Sequence, residues 1–154
     1  MAEVAVAMLP EATRYIVRGD PAGFSGYGVS LPRQACRAET NGSVSALWLG
    51  PDEWLVLAPD GREMKIPMAS VVEVSDRQVA IGVSGPQAAE VINAFNALDL
   101  HVESFPVGMC TRTLFGKAEI VLWRTAPEAF HIEVWRSFAP YVLGCLAEAT
   151  REYA

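Results

Sequence analysis

The apolar positions of the chain fall into short extended runs in its first half and into a more regular alternation of strand and helix patterns in its second. Arg14 to Arg18 (RYIVR) is rich in β-branched and aromatic residues, and GDPAGFSGYG after it predicts a strand leading into an irregular connection. Val29 to Leu31 is a further extended candidate, closed by Pro32. The stretch ALWLGPDEWLVLAP at 46–59 reads as a hairpin, with Pro51 at the second position of a type I turn and Asp52 and Glu53 as its polar residues. Alternation places Ala46 and Trp48 on one face and Leu47 and Leu49 on the other; Trp54 and Val56 likewise oppose Leu55 and Leu57. A hairpin apolar on both faces needs cover twice, from the core and from a second layer, an extra segment or another polypeptide.

Pro59 to Met68, with its charges and two prolines, is expected to be a loop, and Val71 to Val74 and Val79 to Ser84 are short strand candidates. Ser84-Gly85-Pro86-Gln87 has the residues of a capping box, and Ala88, Val91, Ile92, Phe95 and Leu98 then recur at helical spacing. Met109 to Phe115, Ala118 to Arg124 and Ala129 to Trp135 predict an antiparallel meander joined by Gly116-Lys117 and by Thr125 to Glu128. Ser137 is positioned to cap a last helix whose apolar stripe is Phe138, Tyr141, Val142, Cys145, Leu146, Ala149 and Tyr153. From Val79 onward the order is strand, helix, three strands, helix. The expected class is α+β, a mostly antiparallel sheet with helices packed on one face.

A length of 154 residues and an apolar content of 51% fit one domain, 1–154, with a sizeable core. The formal net charge is −6 and there is no basic run, which argues against nucleic acid as a partner. The N-terminal MAEVAVAMLPEAT has neither a basic start nor a cleavage site, and no apolar run is long enough to span a bilayer. A cytoplasmic chain without membrane contact is expected. Cys36, Cys110 and Cys145 are odd in number and widely spaced, the pattern of free thiols rather than of a disulfide framework or a zinc site.

Little in the chain resembles a catalytic apparatus. His101 and His131 lie far apart and outside any metal-ligand spacing. His131 alternates with Glu133 and Trp135 on the polar side of a strand whose other side is Phe130, Ile132 and Val134, so a solvated or interface histidine is expected. Cys145 falls on the apolar stripe of the last helix, and Cys110 alternates with Arg112 and Leu114 without a partner base in sequence. Neither G-x-G-x-x-G nor G-x-x-x-x-G-K-[ST] occurs, and the helix start after Ser84 is at most a minor anion site. No catalytic, cofactor-binding or metal-binding residue is assigned, and the residues favour a binding or assembly role.

Several blocks, in order, resemble the γ subunit of heterotetrameric sarcosine oxidase: LGPDEWLVLAP at 49–59, VVEVSDRQVAIGVSGPQAAEV at 71–91, FPVGMCTRTLFGKAEIVLWR at 105–124 and FHIEVWRSFAPYV at 130–142, with LPRQACRA at 31–38 as a weaker one. The resemblance implies a fold like the folate-binding domain of glycine-cleavage aminomethyltransferases. It also implies a place in a four-chain flavoenzyme that oxidatively demethylates sarcosine to glycine, giving hydrogen peroxide and 5,10-methylene-tetrahydrofolate. FAD, FMN, NAD, tetrahydrofolate and zinc are then expected on the other subunits and none on this chain. The partners would be the α, β and δ subunits, α most directly.

Two departures from the pattern matter. The aminomethyltransferases carry an Asp-Asp pair where this chain has Ala118 and Glu119 after Gly116, so no catalytic role carries over to Glu119. Asp60 to Ser70 is short and proline-interrupted where the family has a longer, helix-forming insert. Because Trp and Arg dominate interface energetics, Arg112, Trp123, Trp135 and Arg136 are the interface candidates. Two other readings stand beside this one: the equivalent subunit of a related complex, such as an N-methylglutamate dehydrogenase, and a stand-alone folate-binding or aminomethyl-transfer protein.

Overall fold

The computed structural model describes residues 3–21, 30–61, 63–64 and 69–153. The predicted connection over 22–28, the Val29 end of the extended candidate, and positions 62 and 65–68 of the predicted loop lie outside the described residues; Ser30 to Pro32 form no strand. In chain order the elements are β1 (Ala5–Met8), β2 (Thr13–Arg18), β3 (Ala38–Asn41), β4 (Val44–Gly50), β5 (Glu53–Ala58), β6 (Ser70–Glu73), β7 (Gln78–Ser84), α1 (Ala88–Asn93), β8 (Cys110–Phe115), β9 (Ala118–Ala126), β10 (Ala129–Trp135) and α2 (Ala139–Thr150). Among the described residues every strand pairing is antiparallel. The chain divides into two compact units, Met1–Leu9 with Gln78–Ala154, and Pro10–Arg77.

The first unit is built on a five-stranded sheet in the order β1-β7-β10-β9-β8. Period-two alternation gathers Ile81 and Val83, Phe130, Ile132 and Val134, and Ala118, Ile120 and Leu122 on one face, where they pack with Val91 and Ile92 of α1 and Val142, Leu146 and Ala149 of α2 in a single core. Both helices thus lie on the same face of this sheet, as the pattern predicted. Each fully buried aliphatic side chain there is worth about 1.5–3 kcal/mol.

The helix ends depart from the sequence reading. The capping box does not form: Ser84 is still a sheet residue, paired with Ala5 and Ala129, and Gly85 turns the chain at φ 120°. Helix α1 starts only at Ala88, without a side-chain cap, and ends after six residues. Its early end has a local cause. The amide of Asn93 donates to the carbonyls of Asn96 and Leu98, and Asn96 Oδ1 accepts from the Leu98 N–H, so side chains take the places of helical bonds. Phe95 and Leu98 still reach the core, but from a loop.

Ser137 is not the cap of α2 either. It sits inside a 3₁₀ turn, Arg136–Phe138, and the helix begins at Ala139 behind Phe138 without a side-chain cap, with Pro140 in the first turn removing one donor that would need it. The buried stripe is Ala139, Val142, Leu146 and Ala149, flanked by half-buried Leu143 and Cys145. Phe138 precedes the helix proper, and Tyr141, well off the stripe at about 3.6 residues per turn, is exposed with it.

The second unit is a five-stranded sheet in the order β3-β4-β5-β2-β6. The predicted hairpin is present as β4 and β5, joined by Pro51-Asp52, with Trp48 opposite Trp54 and a register shift before Gly50. Trp54 is fully buried with Ala46, Val56, Tyr15 and Val17, and its indole N–H donates to the Pro32 carbonyl at 2.7 Å. Leu47, Leu55 and Leu57 on the other face are at most 5% exposed. Both faces of the hairpin are therefore covered by this chain itself, and no other polypeptide is required to cover them.

Candidate functional site

On the helix-free face of the first unit's sheet, cross-strand registers line side chains up in rows. Cys110 stands opposite Trp123, Trp123 opposite His131, and His131 opposite Gly82. In the next row Arg112 faces Val121, Val121 faces Glu133, and Glu133 faces Ala80. Beyond it Leu114 faces Glu119, and Trp135 faces Gln78.

This face is not the solvated one that alternation implied. Glu133 is buried, and its carboxylate is held from two sides: His131 Nε2 lies 2.6 Å from Oε2, and the Gln78 amide donates to Oε1 at 3.1 Å. With Glu133 ionised, that geometry requires Nε2 to carry the proton. The His131 ring, itself largely covered, leans on Trp123 with centroids 5.2 Å apart. A buried carboxylate has to be partnered in this way, because its desolvation costs several kcal/mol otherwise.

The four interface candidates take different positions. Trp135 and Arg136 are exposed where β10 passes into the 3₁₀ turn, and Arg112 is exposed on β8, an edge strand. Trp123 is only half-buried surface, committed to His131. Glu119 is exposed, across from Leu114, whereas Ala118 is buried in the core, so the start of β9 offers one carboxylate, turned to solvent.

A second polar centre went unnoticed in the sequence. Arg124 is buried on the helix-facing side of β9, where its guanidinium donates to Leu100 O (2.9 Å), Phe105 O (2.7 Å) and Pro127 O (2.9 and 3.2 Å) and lies 4.7 Å over the Phe130 ring. Burial lowers its pKa, and the carbonyl bonds offset that penalty. The available signal was an arginine continuing the apolar series Ile120, Leu122. Nearby, Asp99 accepts from the His101 N–H (3.0 Å) and the Ser104 hydroxyl (2.9 Å), and these two bonds hold its pKa below the ordinary carboxylate value. Both centres fix the 99–109 loop.

Other candidate chemistry is used up locally. The Gln87 N–H at the start of α1 donates to Glu3 O, and the helix is too short to serve an anion. Cys110 is buried and Cys36 and Cys145 half-buried, all as free thiols. Among the described residues no group of three or more His, Cys, Asp and Glu is placed to hold a metal ion, and no helix is long and apolar enough to cross a membrane. A shallow depression lined by Phe95, Glu148, Arg151 and Glu152 has its arginine paired with Glu148 at 3.0 Å.

Known proteins match the whole of this architecture. The chain is similar in structure to a chain of the heterotetrameric sarcosine oxidase from Corynebacterium sp. U-96 in complex with pyrrole 2-carboxylate, with a TM-score of 0.85 and 26% identity over 97% of this chain and 85% of that one. The glycine cleavage system aminomethyltransferase T from Bartonella henselae shares the fold, with a TM-score of 0.68 at 14% identity, covering 94% of this chain and 45% of that one. In sequence the chain is 31% identical to sarcosine oxidase subunit gamma of Corynebacterium sp. (strain P-1) and 29% identical to that of Arthrobacter sp., each match covering 93% of this chain and 78% of the relative. A profile of the sarcosine oxidase, gamma subunit family matches residues 20–152. The chain therefore belongs to the sarcosine oxidase, gamma subunit family.

Proposed function

We propose that this chain is a non-catalytic assembly subunit of a heterotetrameric sarcosine oxidase, a cytoplasmic complex that oxidatively demethylates sarcosine to glycine with oxygen and tetrahydrofolate, yielding hydrogen peroxide and 5,10-methylene-tetrahydrofolate. In this reading the whole chain, 1–154, acts as one γ-subunit domain beside α, β and δ subunits and meets α most directly. FAD, FMN, NAD, tetrahydrofolate and zinc are held by those other chains. The observation that carries the reading is the likeness over 97% of the chain to a chain of a heterotetrameric sarcosine oxidase. The non-catalytic part is supported by the aminomethyltransferase-like position of the acid pair, where Ala118 is core and Glu119 faces solvent.

Co-expression of the four chains, with and without this one, tests the reading. The complete complex and its sarcosine-dependent peroxide production are expected only when this chain is present. A stable, fully active oxidase assembled from the other three chains would refute it.

A further inference from the structure

The outer side of β7 is closed by a segment from the far end of the sequence. Among the described residues β1 pairs with β7 alone, from Ala5 opposite Ser84 to Met8 opposite Ile81, and the chain then leaves the first unit at Pro10. The segment is seated at both of its ends. At one, the Glu3 carbonyl accepts from the Gln87 N–H at 3.0 Å, at the start of α1, which has no side-chain cap. This close approach needs a glycine, since a Cβ on Gly85 would overlap the Glu3 carbonyl oxygen. At the other end the Leu9 N–H donates to Ala80 O at 2.9 Å, and the Leu9 side chain lies over Gly82, its Cδ2 2.9 Å from where a Cβ would stand.

Between these seats the segment buries little. Ala5, Ala7 and Met8 are exposed, and Val4 and Val6, both half-buried, are its contacts with the core among the described residues. A stretch with few buried apolar groups and backbone bonds near the surface opens at a lower free energy than the sheet behind it. Its two ends are not independent, because a single register seats Glu3 at Gly85 and Leu9 at Gly82. A slip by one residue would turn Val4 and Val6 away from the core. The segment is therefore either seated along its whole length or detached.

We infer that residues 3–9 form a clasp that opens and closes as one element, releasing the start of α1 and the outer edge of β7 together while the rest of the sheet stays folded. Closed, the clasp supplies the acceptor for the Gln87 N–H and covers β7. Open, it leaves β7, with the sequence QVAIGVS, as an apolar edge strand whose N–H and C=O groups can template pairing with another extended chain. Access to that edge and order at the first turn of α1 are thus set by one segment more than seventy residues away in sequence. The device belongs to the chain itself and does not depend on the subunit reading.

Native-state hydrogen exchange of the whole chain at rising, sub-denaturing urea tests this. The reporters are the Leu9 and Gln87 amides, which bond across the two ends of the clasp, and those of Leu122 and Ile132 in the interior strands β9 and β10. In the wild type Leu9 and Gln87 should share one opening free energy and one urea dependence. Relative to their unstructured rates, both should exchange at least tenfold faster than Leu122 and Ile132. Leu9→Ala empties the seat over Gly82 and should speed exchange at Gln87, at the opposite end, at least threefold. Gly85→Ala should do the same at Leu9, and neither change should alter Leu122 or Ile132. The wild-type measurement depends on no variant's folding. Separate opening free energies for Leu9 and Gln87, opening of both only together with Leu122 and Ile132, or an unchanged Gln87 rate in Leu9→Ala overturns the inference.

Discussion

Replacing Arg124 by methionine keeps the length and apolar stem of the side chain and removes its five donors. The carbonyls of Leu100 and Phe105, both on residues at most 2% exposed, then lose their guanidinium partner at 2.9 and 2.7 Å. A buried carbonyl left without a partner costs about 1–3 kcal/mol, so the pair costs about 2–6 kcal/mol. Pro127 is exposed, and water can replace the donor at its carbonyl. The lost contact with the Phe130 ring adds about 0.5–2 kcal/mol, and methionine recovers part of this by packing in the same space. The expected net loss is about 3–5 kcal/mol, or roughly 6–20 °C in Tm for a chain of this size.

Urea and thermal denaturation of Arg124→Met and Arg124→Lys against wild type check this. Lysine keeps the charge but presents one ammonium, which cannot span three carbonyls, so its loss should fall between wild type and methionine. Because the bonds anchor the 99–109 loop, hydrogen exchange at Gly108 and Met109, whose amides donate to Arg124 O and Pro106 O, should accelerate first. A loss below about 1 kcal/mol for methionine, with exchange there unchanged, would refute the view that the guanidinium is the staple of this loop.

Three further outcomes are expected. Gly116 has φ 57°, and the Tyr141 hydroxyl occupies the space of a Cβ there; Gly116→Ala should cost at least about 1–2 kcal/mol from the left-handed backbone alone, with Tyr141→Phe relieving part of any excess in a double-mutant cycle, and strict additivity would count against the steric contact. Trp54→Phe should destabilise by at least about 1 kcal/mol, because the Pro32 carbonyl loses its buried indole donor; an unchanged denaturation midpoint would contradict this. Asp99 has a folded-state pKa below its unfolded one, so its contribution is present above the unfolded value of about 3.9 and disappears as pH falls through the lower, folded value. The stability difference between wild type and Asp99→Asn should therefore shrink in acid, and parallel pH profiles would exclude the effect.

Where one rule of local physics decides, the sequence was legible. The β4–β5 hairpin, the β8–β10 meander and both helices occur where alternation and helical spacing put them, because one face of each is fixed by burial. The helix ends were not legible, since a cap needs its residue free of other duties. Ser84 is held in the sheet by Ala5 and Ala129, and Ser137 falls inside a 3₁₀ turn. Polar burial was hidden for a similar reason. Glu133 and Gln78 have the alternation of solvated residues, and contacts such as those with each other and with His131, which the alternation does not show, make a buried position tolerable.

The same distinction separates apolar residues that the fold covers from those it leaves exposed. Apolar alternation on both faces of the Trp48–Trp54 hairpin left a second layer, an extra segment and another polypeptide as possible covers, and Leu47, Leu55 and Leu57 are buried without another polypeptide. An apolar residue inside a regular pattern says only that something covers it, and a chain of this length has enough of its own surface to do so. The informative residues are those that leave the pattern. Tyr141 and Phe138 fall off the buried stripe of α2, Leu114 sits on an edge strand, and Trp135 ends its strand; each has its larger side chain in water although nearby core positions are filled. The part of each that stays in water adds no burial to the stability of the fold.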